Sequence, residues 1–463
     1  MPTTETSLLG LRTARTSAHR NQGPSSTAAI WRRWGAIAIA VAILPGCVNT
    51  RFRTGDPLFA FVAADEPRAA ALARDMLTAG GNAADAAAAM ALMMTATLPS
   101  RVGFGGGGVC VTFDAAKREN RTLDFLPRGA GTAAVPAFLR GVYALQGTMG
   151  KLRWEQVAVQ AEQAAYRNPA VSRAFAQDLA AHGNRLDADA RRILMPGGQP
   201  PAEGTPLAQT DAGNLLSQVR RLGVGPIYNG SFSGPVAQAL GIDPAALRGY
   251  QPAWRGTVSV PQKPYDLQFA DLPEAGAGQA IAAAWKAGED APAAQRVARA
   301  LQALGTGGGA EAPAAGFTVV DGNENAVSCA FTLGAPFGTG RMVPGTGMLG
   351  AVPVTSAGFG APALLTNVIV GRTLFGGTGV ANPGDGRNAG PAALLAAALP
   401  AVLGETQAPA IHAGRPADIP GRVSLVTCQR NTENLSKACQ ASGDPRAPGV
   451  GYVVEIAPPD FGL

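Results

Sequence analysis

The sequence predicts a mixed helix-and-strand fold of the α+β class in a single large domain. Its 463 residues are 46% apolar and contain no run of eighteen hydrophobic residues, as is typical of a globular chain that buries a substantial core. Helix start and stop signals recur through the first three hundred residues. Segments rich in β-branched residues lie between and after them, which predicts strands in both halves of the chain.

Two N-terminal helices are indicated by the residues at their ends. Pro67 stands in the first turn of a helix predicted over 66–79, which the pair Gly80-Gly81 ends. Asn82 is a favourable N-cap for a second helix over 83–97.

The region 134–245 is predicted to be mostly helical. It follows a glycine-rich turn at 103–108 and a strand at 109–113. No Lys-Ser or Lys-Thr follows the glycines, which argues against a phosphate-binding loop. The individual helices predicted after the strand cover 154–166, 172–182, 211–222, 278–286 and 293–304.

The clearest strand signal lies directly after a segment that lacks bulky side chains. Residues 305–316 are mostly glycine and alanine and are predicted to form a flexible loop. The next residues, 317–321 and 326–333, are two strand-like runs joined by four turn residues, which predicts a β-hairpin. Further strands are predicted at 423–426 and 450–456.

The net charge of +6 is concentrated in an N-terminal leader. Residues 1–46 hold five arginines against one glutamate, so the remaining chain carries 33 basic and 31 acidic residues. A nearly neutral body lacks the basic surface that phosphate neutralisation needs, so nucleic acid is not an expected partner.

The leader has the layout of a secretory signal. A Trp-Arg-Arg-Trp stretch precedes ten apolar residues, 35–44, and the run ends in Leu-Pro-Gly before Cys47, which resembles a bacterial lipobox. The favoured division is a leader at 1–46, a tether at 47–62 lipidated on Cys47, and a domain at 63–463. The expected address is the bacterial cell envelope, on the periplasmic side, with the lipid on Cys47 as the membrane contact. Ordinary secretion, an uncleaved anchor and a buried core helix are the alternatives.

The other four cysteines suggest one disulfide. Cys428 and Cys439 flank a polar, loop-like stretch of ten residues, which suits a local disulfide in an oxidising compartment. Cys110 and Cys329 lie in apolar, strand-like surroundings and are expected to be buried free thiols. With three widely spaced histidines and no Cys-x-x-Cys pair, neither a metal site nor a cofactor is expected.

Taken in order, several segments resemble the gamma-glutamyltranspeptidase family over about 400 residues, from Ala63 to the C-terminus. The segments that carry the resemblance are GGNAADAA at 80–87, the glycines at 105–108, Tyr-Asn-Gly at 228–230, the hairpin FTVVDGNENAVSCAFTL followed by Phe-Gly-Thr at 337–339, and DPRAPGVGY at 444–452.

The resemblance implies an Ntn-hydrolase fold, a four-layer αββα sandwich of two sheets between helical layers. In such enzymes a threonine at the start of the central hairpin cuts the chain before itself. Its hydroxyl then attacks a γ-glutamyl amide, typically of glutathione, with the new terminal amine as the base. Backbone amides hold the oxyanion, and an arginine holds the substrate carboxylate.

The nucleophile that the family requires is missing from this sequence. Ala314 occupies the position of the catalytic threonine, and alanine has no nucleophilic oxygen. The nearest hydroxyls, Thr306 and Thr318, are eight residues earlier and on the far side of Phe317. The family's second threonine persists as Thr332, for which a purely structural role is the favoured interpretation.

The substrate-binding groups of the family are also absent. Leu126 stands where the family has its carboxylate-binding arginine, with Arg128 two positions later. The paired serines are expected near 363–365, and the acidic and amide residues within 349–359, and neither stretch contains them. Gly376 and Gly377 are the candidates for a backbone oxyanion nest.

Three functions follow from these losses. The favoured one is a catalytically inactive, unprocessed family member that binds or scaffolds, with a small γ-glutamyl or peptide ligand or an envelope protein as its partner. The second is an active γ-glutamyl hydrolase or transferase with a relocated nucleophile. The third is a subunit of a larger envelope assembly.

Overall fold

The computed structural model describes residues 58–129, 131–273, 277–430 and 438–456. The predicted leader and Cys47 lie outside the described residues, as does the tether up to residue 57. Residues 58–62, assigned to the tether, instead belong to the first strand of the domain. Their continuous run of apolar side chains suits a strand that is buried on both faces.

The strands are β1 (Leu58–Ala64), β2 (Gly107–Asp114), β3 (Glu119–Phe125), β4 (Ala253–Arg255), β5 (Thr257–Gln262), β6 (Tyr265–Ala270), β7 (Ala314–Val320), β8 (Ala326–Thr332), β9 (Met342–Val343), β10 (Met348–Leu349), β11 (Gly360–Asn367), β12 (Arg372–Val380), β13 (Arg422–Cys428), β14 (Cys439–Ser442) and β15 (Val450–Ile456). They form a seven-stranded sheet in the order β15-β1-β7-β8-β2-β3-β4 and a six-stranded sheet in the order β14-β13-β12-β11-β6-β5, with β9 and β10 paired separately.

The helices are α1 (Pro67–Thr78), α2 (Ala83–Thr97), α3 (Phe138–Met149), α4 (Trp154–Tyr166), α5 (Arg173–His182), α6 (Ala188–Leu194), α7 (Thr210–Leu222), α8 (Gly225–Tyr228), α9 (Ser233–Leu240), α10 (Pro244–Gly249), α11 (Ala277–Glu289), α12 (Arg296–Leu304), α13 (Ala389–Leu403) and α14 (Ala408–Gly414). Within the described ranges, none of these helices is long and apolar enough to cross a membrane.

Three apolar clusters define four layers. One packs the outer face of the seven-stranded sheet against helices from the first half of the chain, including α2, α3 and α4. A second packs the outer face of the six-stranded sheet against α11, α12 and α13. The third fills the space between the two sheets. The predicted αββα sandwich is therefore confirmed.

The two N-terminal helices begin where their caps predict. The Glu66 side chain accepts the Ala69 backbone N–H at 2.7 Å, and the Asn82 side chain accepts the N–H groups of Ala84 and Asp85. Each cap satisfies donors that the first turn of a helix leaves unpaired. Helix α2 is buried on every side, which fixes the layer between the seven-stranded sheet and the outer helices.

The cysteines form two disulfides in the described structure. Cys428 and Cys439, expected to be paired, are joined and lie directly opposite each other on β13 and β14. Cys110 and Cys329, expected to be free thiols, are also joined, between β2 and β8. The sequence prediction of free thiols was wrong because the residues are 219 positions apart and only the sheet register brings them together.

The predicted flexible loop 305–316 is only partly a loop. Residues 314–316 are the first three of β7, so the central hairpin begins earlier than predicted. Glu311 is buried, and its backbone N–H donates to the carbonyl oxygen of Asp385 at 2.8 Å. Small side chains here allow close packing between the sheets instead of preventing order.

Candidate active site

The position of the expected nucleophile is a buried methyl group at the start of β7. Ala314 lies opposite Thr332 on β8, and its side chain is inaccessible to solvent. It belongs to the apolar cluster between the sheets, together with Leu126, Val354 and Phe359. The site therefore offers neither a reactive atom nor room for a substrate beside one.

The backbone on both sides of Ala314 is held by hydrogen bonds. The Thr332 hydroxyl donates to the carbonyl oxygen of Pro313 at 2.7 Å, and the Ala314 N–H donates to the carbonyl oxygen of Ala381. Thr332 thus contacts the peptide bond between Pro313 and Ala314, and its hydroxyl hydrogen bond ties β8 to the start of β7.

A buried ion pair lies beside the same backbone. The Arg422 guanidinium donates to the carbonyl oxygen of Ala314 at 2.8 Å and pairs with the Asp65 carboxylate at 3.4 Å. Asp65 also accepts the Gly316 N–H at 2.9 Å. Burial, and then the neighbouring Arg101 guanidinium, lowers the pKa of Arg422. These charges bind main-chain atoms and each other, so they hold the fold in place.

Neither alternative hydroxyl lies at the position of the missing threonine. Thr318 is fully buried between the sheets, where its hydroxyl is within hydrogen-bond distance of Ser328 at 3.1 Å and Thr378 at 3.2 Å. No ionisable base takes part in this three-hydroxyl cluster. Thr306 is exposed and lies outside β7.

The substrate-carboxylate position is closed as well. Leu126 is fully buried in the same apolar cluster as Ala314. The Arg128 guanidinium makes two hydrogen bonds to the buried Asp124 carboxylate, at 2.9 and 3.0 Å, and Arg255 contacts the same carboxylate at 3.2 Å. Arg128 is therefore engaged in this ion-pair group.

The predicted oxyanion nest at Gly376 and Gly377 does not form there. Both glycines lie inside β12, paired with β11 on one side and β13 on the other. A Cβ on Gly376 would lie 2.4 Å from the Thr318 methyl carbon. Gly376 is needed for close approach of the two sheets, and a Cβ on Gly377, on the other face, would lie 3.1 Å from the Leu394 side chain of α13. Sequence inspection cannot distinguish such glycines from a loop nest.

The hydroxyl pair before β11 was missed at the sequence level. Residues 363–365, where the paired serines were sought, lie inside β11. Thr355 and Ser356 lie just before that strand and line an open cavity. The adjacent hydroxyl residues Thr355 and Ser356 are visible in the sequence, but the sequence does not show that β11 starts after them, at Gly360.

This cavity has a volume of about 390 Å³ and adjoins the closed site. Ala357 belongs both to its lining and to the apolar cluster around Ala314. Its polar lining is Thr355, Ser356, Arg387 and Asn388, and the rest is Ala277, Ala280, Ile281, Leu304, Gly358 and Pro391. Arg387 has an exposed side chain with no ion pair among the described residues.

A buried carboxylate borders the cavity. Glu311 accepts the backbone N–H groups of Ala312 and Asn388, both at 3.2 Å. Burial raises the pKa of Glu311, against the opposing effect of these hydrogen bonds and of Arg387. Glu311, in the segment before β7, therefore holds Asn388, which lines the cavity.

No cluster of three or more metal-ligating side chains was found in the described ranges. The site therefore has to be interpreted from its hydroxyl, carboxylate and guanidinium groups.

The fold and site define a class, the two-sheet Ntn-hydrolase sandwich. A cephalosporin acylase from Bacillus halodurans has the same fold, with a TM-score of 0.66 over 86% of this chain and 96% of that one, at 16% identity. The match is to the fold alone.

The family model for gamma-glutamyltranspeptidase matches residues 69–130 and 125–304, and the chain belongs to that family. The glutathione hydrolase proenzyme of Bacillus subtilis (strain 168) is 26% identical over 37% of this chain and 34% of its own length. Human glutathione hydrolase 7 is 27% identical over 36% and 28%. The chain thus spans about a third of the length of these relatives. The acylase ACY 1 proenzyme of Pseudomonas sp. (strain SE83) is 25% identical over 62% and 68%.

Proposed function

We propose that this protein is an unprocessed, catalytically inactive gamma-glutamyltranspeptidase-like lipoprotein of the cell envelope that acts by binding. The observation that carries the proposal is the buried methyl of Ala314 at the start of β7. Cleavage before this residue needs a side-chain oxygen at this position, and so does an acyl-enzyme. Two of the relatives are named proenzymes. This chain lacks the side-chain oxygen at residue 314 with which it would cleave itself.

The closed carboxylate position supports the same proposal. A γ-glutamyl substrate would have to place its carboxylate against Leu126, which is buried among apolar side chains. An unpaired carboxylate in such surroundings costs several kcal/mol. Removing a single oxyanion donor already lowers turnover by roughly a hundredfold or more, so loss of the nucleophile and the arginine together should abolish it.

The binding role is assigned to the cavity beside the closed site. Its volume falls at the lower end of the range for small-molecule sites, which is about 300–1,000 Å³. Arg387, Thr355 and Ser356 offer one cation and two hydroxyls, which suit a small peptide or γ-glutamyl compound with a carboxylate.

Two measurements on the purified mature protein test the inactivity. The expected intact mass is that of one chain of about 42 kDa plus the acyl group, in proportion to 46.9 kDa for the whole chain. A γ-glutamyl anilide should not be hydrolysed. Two fragments divided before Ala314 would refute the proposal, as would turnover that is lost on replacing Thr306 or Thr318 by alanine.

Calorimetric titration with glutathione tests the ligand class. Arg387→Ala should weaken binding about 10- to 100-fold, since a hydrogen bond to a charged group contributes roughly 1.5–3 kcal/mol. Arg341→Ala is the matched control, because Arg341 is an exposed arginine that lines a different cavity. If the two variants lose the same affinity for glutathione, or if neither binds it, the cavity is not the binding site and the proposal loses it.

A further inference from the structure

Three turns of the two sheets meet at the end of the molecule opposite the closed site. They are the β2–β3 turn at 115–118, the β7–β8 turn at 321–325 and the β11–β12 turn at 368–371. We call them, with Leu58, the turn end. Strand β7 separates this end from Ala314 by about 20 Å, at roughly 3.3 Å per residue.

Direct contacts hold the turn end together. The Ala115 N–H donates to the Asn325 side chain at 3.0 Å, and a Cβ on Gly371 would lie 3.1 Å from the Ala115 carbonyl oxygen. Leu58 packs on Gly322, where a Cβ would lie 2.8 Å from the Leu58 side chain. The first residue of β1 therefore lies at the same end as the three turns.

The β11–β12 turn presents two large apolar side chains to solvent. Ile369 is 73% exposed and Val370 is 64% exposed. The Asn367 side chain accepts the backbone N–H of Ile369 at 2.9 Å and that of Val370 at 3.2 Å. An apolar tip whose N–H groups are already paired can enter the edge of a lipid layer without leaving those donors unsatisfied.

Cations stand beside this tip. Arg118, in the adjacent β2–β3 turn, is exposed and has no ion pair among the described residues. Lys263 is exposed in the β5–β6 turn, beside the end of β11 to which β6 pairs. The nearby Lys117 and Arg121 are paired with Asp114 and Glu119. Arg118 and Lys263 can therefore contact anionic phospholipid headgroups, while the carboxylates of the adjoining β7–β8 turn, Asp321 and Glu324, accept hydrogen bonds from the Asn325 amide and the Thr373 N–H.

The chain length between the lipidation position and the turn end fits contact with the same membrane. Cys47 and Leu58 are eleven residues apart, so the covalent chain can span at most about 40 Å. A lipid on Cys47 would keep the turn end within that distance of the bilayer surface.

We propose that the turn end is a membrane-contact surface, in which Ile369 and Val370 enter the headgroup region of a bilayer containing anionic phospholipid and Arg118 and Lys263 contact its headgroups. The proposal uses the acylation of Cys47 given under the proposed function. It leaves the opposite end, with the cavity, directed away from the membrane.

The test uses acylated full-length protein in vesicles of phosphatidylethanolamine and phosphatidylglycerol. Cysteine is introduced by Val370→Cys and labelled with an environment-sensitive fluorophore; the five native cysteines are blocked by acylation or disulfides. Thr306→Cys, exposed beyond the other end of β7, is the matched control.

We expect the emission at position 370 to shift to shorter wavelength on reconstitution and the emission at 306 to stay unchanged. Ile369→Asp in the labelled protein should reverse the shift, and without anionic lipid it should weaken. If mass measurement verifies the acylation and the emission at position 370 still corresponds to water, the membrane-contact surface is refuted, while the lipid anchor is not. A missing acyl group would overturn both. A shift that needs protein concentration and no vesicles would identify a second copy as the occupant, and would also overturn the proposal.

Discussion

Replacing Ala314 by threonine restores the one group whose loss is decisive, and we expect neither chain cleavage nor turnover from it. The new hydroxyl would enter an apolar cluster that contains Leu126 and Phe359, and the neighbouring Arg422 is already paired with Asp65. Reaction requires the attacking oxygen, its base and the bound substrate in one geometry. Only the first of these is supplied by the substitution.

The expected cost of Ala314→Thr follows from burial. Ala314 has no solvent exposure, so two additional heavy atoms must displace packed neighbours, which typically costs 1–3 kcal/mol. A buried hydroxyl without a partner costs about 1–3 kcal/mol more. The total loss in the free energy of unfolding should be about 2–6 kcal/mol. Ala310→Thr, in the exposed part of the preceding loop, should change it by no more than about 0.5 kcal/mol.

Urea unfolding measures this loss, and intact mass with the γ-glutamyl anilide assay measures the chemistry. If Ala314→Thr yields two chains divided before residue 314, or hydrolyses the anilide, the site is open and competent, and our account of a closed site fails. A stability equal to that of Ala310→Thr would show that the methyl position has room to spare.

Three further predictions test the frame of the molecule. The double variant Cys110→Ala/Cys329→Ala should lose about 2–5 kcal/mol of unfolding free energy. When the unsubstituted protein is denatured without reductant, thiol titration should detect neither cysteine. Arg422→Met should lose about 3–5 kcal/mol in urea unfolding, because it leaves Asp65 charged and buried without its partner; a loss below 1 kcal/mol would contradict this. Burial raises the pKa of Glu311 in the folded state, so the folded protein binds the proton more tightly and its stability falls as pH rises from the unfolded pKa through the folded one. Glu311→Gln should remove that fall in stability. If the unfolding free energy differs between pH 4 and pH 7.5 by the same amount in the variant and in the unsubstituted protein, Glu311 is not its cause.

The helices and the central hairpin could be predicted from the sequence because their signals are local. Asn82 and the residues after it specify the start of α2, and 317–333 specify the hairpin, to within a few residues. Most of the second sheet could not be predicted. Its strand β12 contains Gly376 and Gly377, which resemble a loop until Thr318 of the other sheet is placed against Gly376 and Leu394 of α13 against Gly377.

The sequence shows which functional residues are missing from the site, but it does not show which side chains fill their space. Ala314 and Leu126 are visible as losses in the sequence, because each stands at a motif position. That they pack together with Val354 and Phe359, from a distant segment, depends on how the two sheets face each other. The disulfide between Cys110 and Cys329 was missed for the same reason, since register is a property of the sheet.

The polar side chains that remain near Ala314 differ from the missing nucleophile and substrate-binding arginine, because they have more hydrogen-bond partners inside the protein. Thr332, Arg422 and Asp65 each bind a main-chain atom of the strand that holds Ala314 or of the residue before it. Removing any of them would leave a buried polar group unpaired, at a cost of about 1–3 kcal/mol, or more for a charge. A nucleophile and a substrate-binding arginine have their main partners in the substrate, so an apolar side chain can fill their space without leaving the fold unsatisfied. A polar frame around an apolar centre is therefore the arrangement expected of this fold under the proposed loss of catalysis, and its hydrogen bonds account for the order of the strand that holds Ala314.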